Sequence, residues 1–199
     1  MTAFLRAGAS IALAAIVAGC SISSLLGGGK APPVLFTLTS QAPPAAQSRS
    51  AAVGETVTIN LPIIPEELRS VRVPVHVTPT EVQYVQDLQW VDTPNRLFQL
   101  LLEETVRRTT TRVVLDPNQS ALDPGLVVTG ELQRFGYEAA TGMVVVQYDA
   151  SLATQGGTHV QTRRFEAALP ADGTAATVAP ALNQAANQVA LEVARWIGG

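Results

Sequence analysis

The chain has 199 residues, with 13 basic and 16 acidic side chains and a net charge of −3. Hydrophobic residues make up 47% of it, ample for one core and against wholesale disorder, while a weakly acidic chain without a basic run has no electrostatic case for nucleic acid. A single cysteine excludes an internal disulfide, and beyond the N-terminus no apolar run reaches the length a spanning helix needs.

Residues 1–20 read MTAFLRAGASIALAAIVAGC. Arg6 and the amino terminus form a positive start, and Ile11 to Val17 an apolar stretch too short to span a bilayer; this is the pattern of a secretory signal. Val17-Ala18-Gly19-Cys20 resembles the lipobox of bacterial lipoproteins, an aliphatic residue and two small ones before a cysteine. Val17, Ala18 and Gly19 would present an extended chain to the signal peptidase, and the Cys20 thiolate would accept diacylglycerol. The expectation is therefore cleavage before Cys20, acylation of the new terminus and a net charge of −4 once Arg6 is lost. Each buried methylene contributes about 0.8 kcal/mol, so several acyl chains hold a protein to a membrane. Ser21, where an aspartate commonly retains lipoproteins in the inner membrane, favours the outer membrane.

From Ser21 to about Ala52 the composition turns to Ser, Gly, Pro, Ala and Gln, that of a flexible tether. One island of β-formers, residues 34–39, predicts a first strand. Thr56 to Leu61 alternates polar and apolar, the period of a half-buried strand. Val71, Val73, Val75 and Val77 share a face of the next, opposite Arg72 and His76, and Pro74 predicts an edge position or a bulge there. Residues 81–90 read as a weaker extended segment. Thr93-Pro94 predicts a helix start with a hydroxyl cap, followed by Leu97, Phe98, Leu101, Leu102 and Val106 at helical spacing, with Arg107 and Arg108 in the last turn. After residues 112–115 and two Asp-Pro steps come three longer strands, about 126–135, 143–154 and 158–168, joined by hairpin links at 139–142 and 155–157. Leu182, Ala185, Ala186, Val189, Val193, Trp196 and Ile197 form the stripe of a terminal helix, which Pro180 would start near Thr177.

These elements predict an α+β fold: an antiparallel or mixed β-sheet with two main helices packed on one face. The chain divides into a signal peptide at 1–19, a lipidated cysteine and tether at 20–52, and one folded domain at 53–199.

The ordered set is familiar. Phe36-Thr37-Leu38, then Leu61-Pro62, then Gln89-Trp90 before a Leu-rich helix, Gly130-Glu131-Leu132-Gln133-Arg134-Phe135, Arg164-Phe165, and Ala181 to Ala185 leading to Trp196-Ile197 resemble the ABC-type transport auxiliary lipoprotein family, or MCE-associated lipoproteins. The resemblance covers roughly Val34 to Ile197. It implies a lipid-anchored accessory subunit facing the periplasm, working with an ABC permease, its ATPase and an MCE-domain substrate-binding protein, with hydrophobic lipid as candidate cargo. Its role would be docking or lipid handover at the outer membrane. The family usually has Arg before the tryptophan where this chain has Gln89.

The inventory argues against an enzyme, a cofactor or a metal site. The two histidines, His76 and His159, read as surface residues on predicted strands and lie in no nucleophile motif. The Gly-rich stretches lack the Lys-Ser/Thr and following helix of a phosphate cradle. Trp196 falls on a core stripe. Trp90, at a strand-to-helix junction beside Gln89 and Asp92, is the candidate partner contact.

Overall fold

A 13-residue strand, β6 (Leu126–Glu138), is the spine of the molecule. The structure is a computed structural model and describes residues 34–44, 50–52, 54–118, 125–154 and 159–198. Along one edge of β6 lies β7 (Met143–Thr154), which in turn pairs with β8 (His159–Pro170), both antiparallel. The other edge is shared end to end. β2 (Thr56–Ile59) pairs parallel with the start of β6 and β3 (Arg72–Thr78) with its finish, with a bridge between Ile63 and Glu131 in between. Outside β3 come β4 (Glu81–Trp90), antiparallel, and β1 (Leu35–Phe36), parallel to β4; outside β2 comes β5 (Val113–Leu115), parallel. The sheet is mixed, as predicted.

Alternation along the strands sorts its faces. Val128, Leu132, Phe135, Val144, Val146, Tyr148 and Phe165 are buried beneath α1 (Pro94–Thr109) and α2 (Ala175–Gly198). The facing rings fix the layers: Phe98 of α1 sits 5.1 Å from Tyr148, and Trp196 of α2 sits 5.5 Å from Phe165. The opposite face carries Glu131, Gln147, Asp149, Arg164 and Glu166.

Several local expectations change. The first strand is only Leu35–Phe36. All four residues of β2 are buried, rather than those of one face. Pro74, for which an edge or a bulge was expected, takes the second: its strand is interior, and the β3–β4 register shifts between Arg72 and Pro74. Opposite that shift Asp87 of β4 has φ 55°, a left-handed conformation that Asp tolerates better than most residues. The Thr93 hydroxyl does not cap α1; it turns toward Asp92 Oδ1 (3.5 Å), which also accepts from the Thr93 N–H (2.7 Å). α2 starts at Ala175, two residues early, leaving Pro180 inside it. Asp172 holds that first turn by accepting from Thr174 N (2.9 Å) and from the Thr177 hydroxyl. These hydrogen bonds bring its carboxyl down to about 2. The Asp123-Pro124 step and the 155–157 link lie outside the described residues.

Candidate functional site

The first candidate site is the place where the segment read as tether joins the domain. That junction is built from the helices. After β1 the chain crosses α2, where Asn183 Oδ1 accepts from Thr39 N (2.8 Å) and Asn187 Oδ1 from Gln41 N (2.8 Å). Asn187 Nδ2 returns a bond to Thr39 O (2.9 Å). Arg108, in the last turn of α1, donates to Ala42 O (2.8 Å) while its Nε holds Glu104 Oε1 (2.6 Å). Residues 37–43 thus form a strap over both helices, beside a groove of about 270 Å³ lined by Thr105, Thr109, Gln188 and Leu191. Part of the segment whose composition reads as tether therefore belongs to the domain. Composition could not reveal this, because the anchoring asparagines lie more than 140 residues away. Replacing Asn187 with Leu should free the strap without emptying the helix surface, so that limited proteolysis cuts within 39–44 in the variant and spares the parent. Equal cleavage of both would contradict the strap.

Trp90 ends β4 above this junction. It is 1% exposed, its ring meets Phe135 edge-on at 5.7 Å, and its backbone N–H donates to Val71 O (2.8 Å). The polar neighbours Gln89 and Asp92 do not share its surroundings, because alternation sends Gln89 outward. What reaches the surface here is Val91, 52% exposed, with Leu35 at 50%; Val91 N donates to Phe36 O (2.9 Å). Cys20, Val17, Ala18 and Gly19 lie outside the described residues. Trp196 is half-buried against Phe165.

The residue that sequence reasoning missed is His76. Expected as a surface residue, it is half-buried at a cleft of about 470 Å³ where β3 ends beside β6. Glu138 is its neighbour across the strands, and the 3-10 turn Glu66–Leu68 brings in Glu67. His76 Nδ1 lies 2.7 Å from Glu138 Oε1 and Nε2 lies 3.0 Å from Glu67 Oε1. Arg134 completes the cluster on Glu138 at 2.5 Å. Burial pushes the Glu138 carboxyl up, but the hydrogen bonds and charges of Arg134 and His76 outweigh it and hold the group below the usual carboxylate range.

A carboxyl depressed in the fold stabilises it above the ordinary carboxylate pKa, and that contribution is lost as pH falls through the folded value. Urea midpoints should therefore decline below about pH 4.3, less steeply in Glu138→Gln than in the parent. Identical acid limbs would contradict the pairing. The cluster ties the turn to the sheet and offers no nucleophile to His76. His159 contacts Gln161 (3.1 Å). Among the described residues no group of three or more His, Cys, Asp or Glu could hold a metal ion, and no helix is long and apolar enough to cross a membrane.

Fold and junction together define a two-layer α+β domain entered by a strap across its helices. The chain belongs to the family of ABC-type transport auxiliary lipoprotein components, whose model matches residues 36–194, from the end of β1 to near the end of α2. Membership associates it with the cell envelope and with an ABC-type transport system, and the family is no known enzyme class. A crystal structure of a Xanthomonas campestris protein of family DUF330 is similar at TM-score 0.69 and 19% identity, covering 83% of this chain and 95% of that one. That of an uncharacterized protein is similar at TM-score 0.59 and 14% identity, covering 82% and 99%. At these identities the likeness is one of fold. No protein of curated function matches the chain.

Proposed function

We propose that this protein is a non-catalytic, lipid-anchored subunit that docks an MCE-domain substrate-binding protein, served by an ABC permease and ATPase, at the outer membrane, where hydrophobic lipid is handed over. One observation carries the reading: a lipobox at 17–20 precedes a domain that matches the transport-auxiliary family from 36 to 194. Cys20 is the lipidated residue, with Val17, Ala18 and Gly19 read by the peptidase. The strap sets where the tether leaves the domain. Trp90 serves partner contact indirectly, by holding Val91 and Leu35 at the surface beside it.

Metabolic labelling with a palmitate analogue and separation of the two membranes test the anchor. The parent takes up label and sediments with the outer membrane, whereas Cys20→Ser takes up none and is absent from the outer membrane, whether released as a folded domain or held at the inner membrane as an uncleaved precursor. Label retained in Cys20→Ser, or a parent confined to the inner membrane, would overturn this placement.

A further inference from the structure

The surface that Trp90 supports lies where the chain enters the domain. Leu35 pairs in register with Gln89, and Gln89 with Arg72, so these three side chains share the sheet face opposite Trp90 and the helices. Val91 follows Trp90 on that outward side. Ile63 bridges Glu131 of the helix-free face and lines a shallow depression with Arg69 and Thr93, two residues from Val91. Beside Val91 and Leu35, Ile63 is 69% and Val34 71% exposed. Aliphatic groups this open, gathered in one place, mark a contact surface.

We propose that Val34, Leu35, Val91 and Ile63 rest on the bilayer that holds Cys20, at the boundary between headgroups and acyl chains. The inference rests on the anchor at Cys20 and names what the Leu35–Val91 surface meets. Distance selects this face. Cys20 stands 14 positions before Val34, and a linker of Ser- and Gly-rich composition averages about 20 Å over that length. A domain of this size is about 40 Å across. The surface around Val34 therefore meets the membrane at the tether's relaxed length. β8, five strands from β1 in the sheet order and so about 24 Å away, meets it only when the tether is drawn out.

Charge agrees with this. Arg72, in the row with Leu35 and Gln89, holds its guanidinium 4.1 Å over the Tyr84 ring, and a cation on an amphipathic aromatic suits the headgroup level. The acids adjoining the patch in sequence are engaged, Glu66 with Arg69 at 3.1 Å and Asp92 with the Thr93 N–H at 2.7 Å. A small aliphatic patch alone binds a bilayer weakly, but the anchor raises its effective concentration there. The patch then sets the orientation of the domain, while the acyl chains supply attachment.

Nitrobenzoxadiazole labels on introduced cysteines test this in the full-length protein. It is purified from its own host and reconstituted into vesicles of phosphatidylethanolamine and phosphatidylglycerol that carry a nitroxide-labelled phospholipid. Lipidation consumes the Cys20 thiol, so the parent should take no label; a parent that labels would overturn the anchor and this inference with it. Labels at Ile63→Cys and Val91→Cys should shift to the blue and lose most of their emission to the nitroxide. One at Thr162→Cys on β8 should do neither. All three positions are exposed, so labelling leaves the core in place. With the parent unlabelled, emission at 63 and 91 as unquenched as at 162 would overturn the patch and leave the anchor standing. Equal quenching at all three would overturn it too, by putting a different face on the membrane. So would a blue shift without quenching, which would place a second copy of this chain on the patch instead of lipid.

Discussion

Truncating Trp90 to alanine is expected to cost the domain about 3–5 kcal/mol, the range for deleting a large buried aromatic. In a domain of this size that is a fall in Tm of roughly 6–20 °C. The size of the effect follows from position. The ring is 1% exposed and packs against Phe135, while the backbone of the same residue joins β4 to both Val71 and the β1 register. Removing the side chain opens a cavity where three strands converge. The indole Nε1 has no hydrogen-bond partner among the described residues, so Trp90→Phe drops an unpaired buried donor, worth about 1–3 kcal/mol, against the lost volume. It should cost much less than alanine. Urea unfolding of the three proteins checks this, and an alanine variant within about 1 kcal/mol of the parent would contradict a core role. A phenylalanine variant that folds like the parent but loses its partner would make the contact direct.

The second large effect concerns Gly130. A glycine inside a strand ordinarily weakens it, and alanine there recovers about 0.5–1 kcal/mol of chain entropy. At Gly130 the sign reverses. A Cβ would stand 2.5 Å from the Asp149 carbonyl oxygen and 2.7 Å from two carbons of the Tyr148 ring. Neither can move away: the oxygen belongs to the β6–β7 ladder, and Tyr148 is fully buried against Phe98. Overpacking of this kind costs about 1–3 kcal/mol, so Gly130→Ala should lower the urea midpoint and Gly130→Val lower it further. An alanine variant as stable as the parent would show that β7 can shift outward here.

Much of the fold was legible because its signals are local. The meander from β6 to β8 shows in three β-rich runs separated by turn residues, and α1 in its Thr-Pro start and apolar spacing. What stayed hidden depended on distant partners. The Thr-Val-Thr-Ile run of β2 alternates like a half-buried strand, yet Thr56 and Thr58 are buried too, and its strand partners β5 and β6 come from sequence positions far downstream. Gln99 and Asn95 of α1 donate to the carbonyls of Ile59 and Pro62, a role no periodicity announces. The strap over α2 was hidden in a Ser, Pro and Ala composition that reads as tether. His76 read as an exposed polar residue between valines because Glu67 and Glu138 reach it only after β3 docks on β6. Trp90 drew attention through its polar sequence neighbours, whereas strand alternation separates it from them.

The docking claim is tested most directly by tagging the full-length protein in its own host, crosslinking in cells, solubilising in mild detergent and identifying what co-purifies. Recovery of an MCE-domain protein, with its permease and ATPase, is the predicted result. Recovery of only peptidoglycan-linked or outer-membrane assembly proteins would contradict the docking role and make this a structural lipoprotein of the envelope.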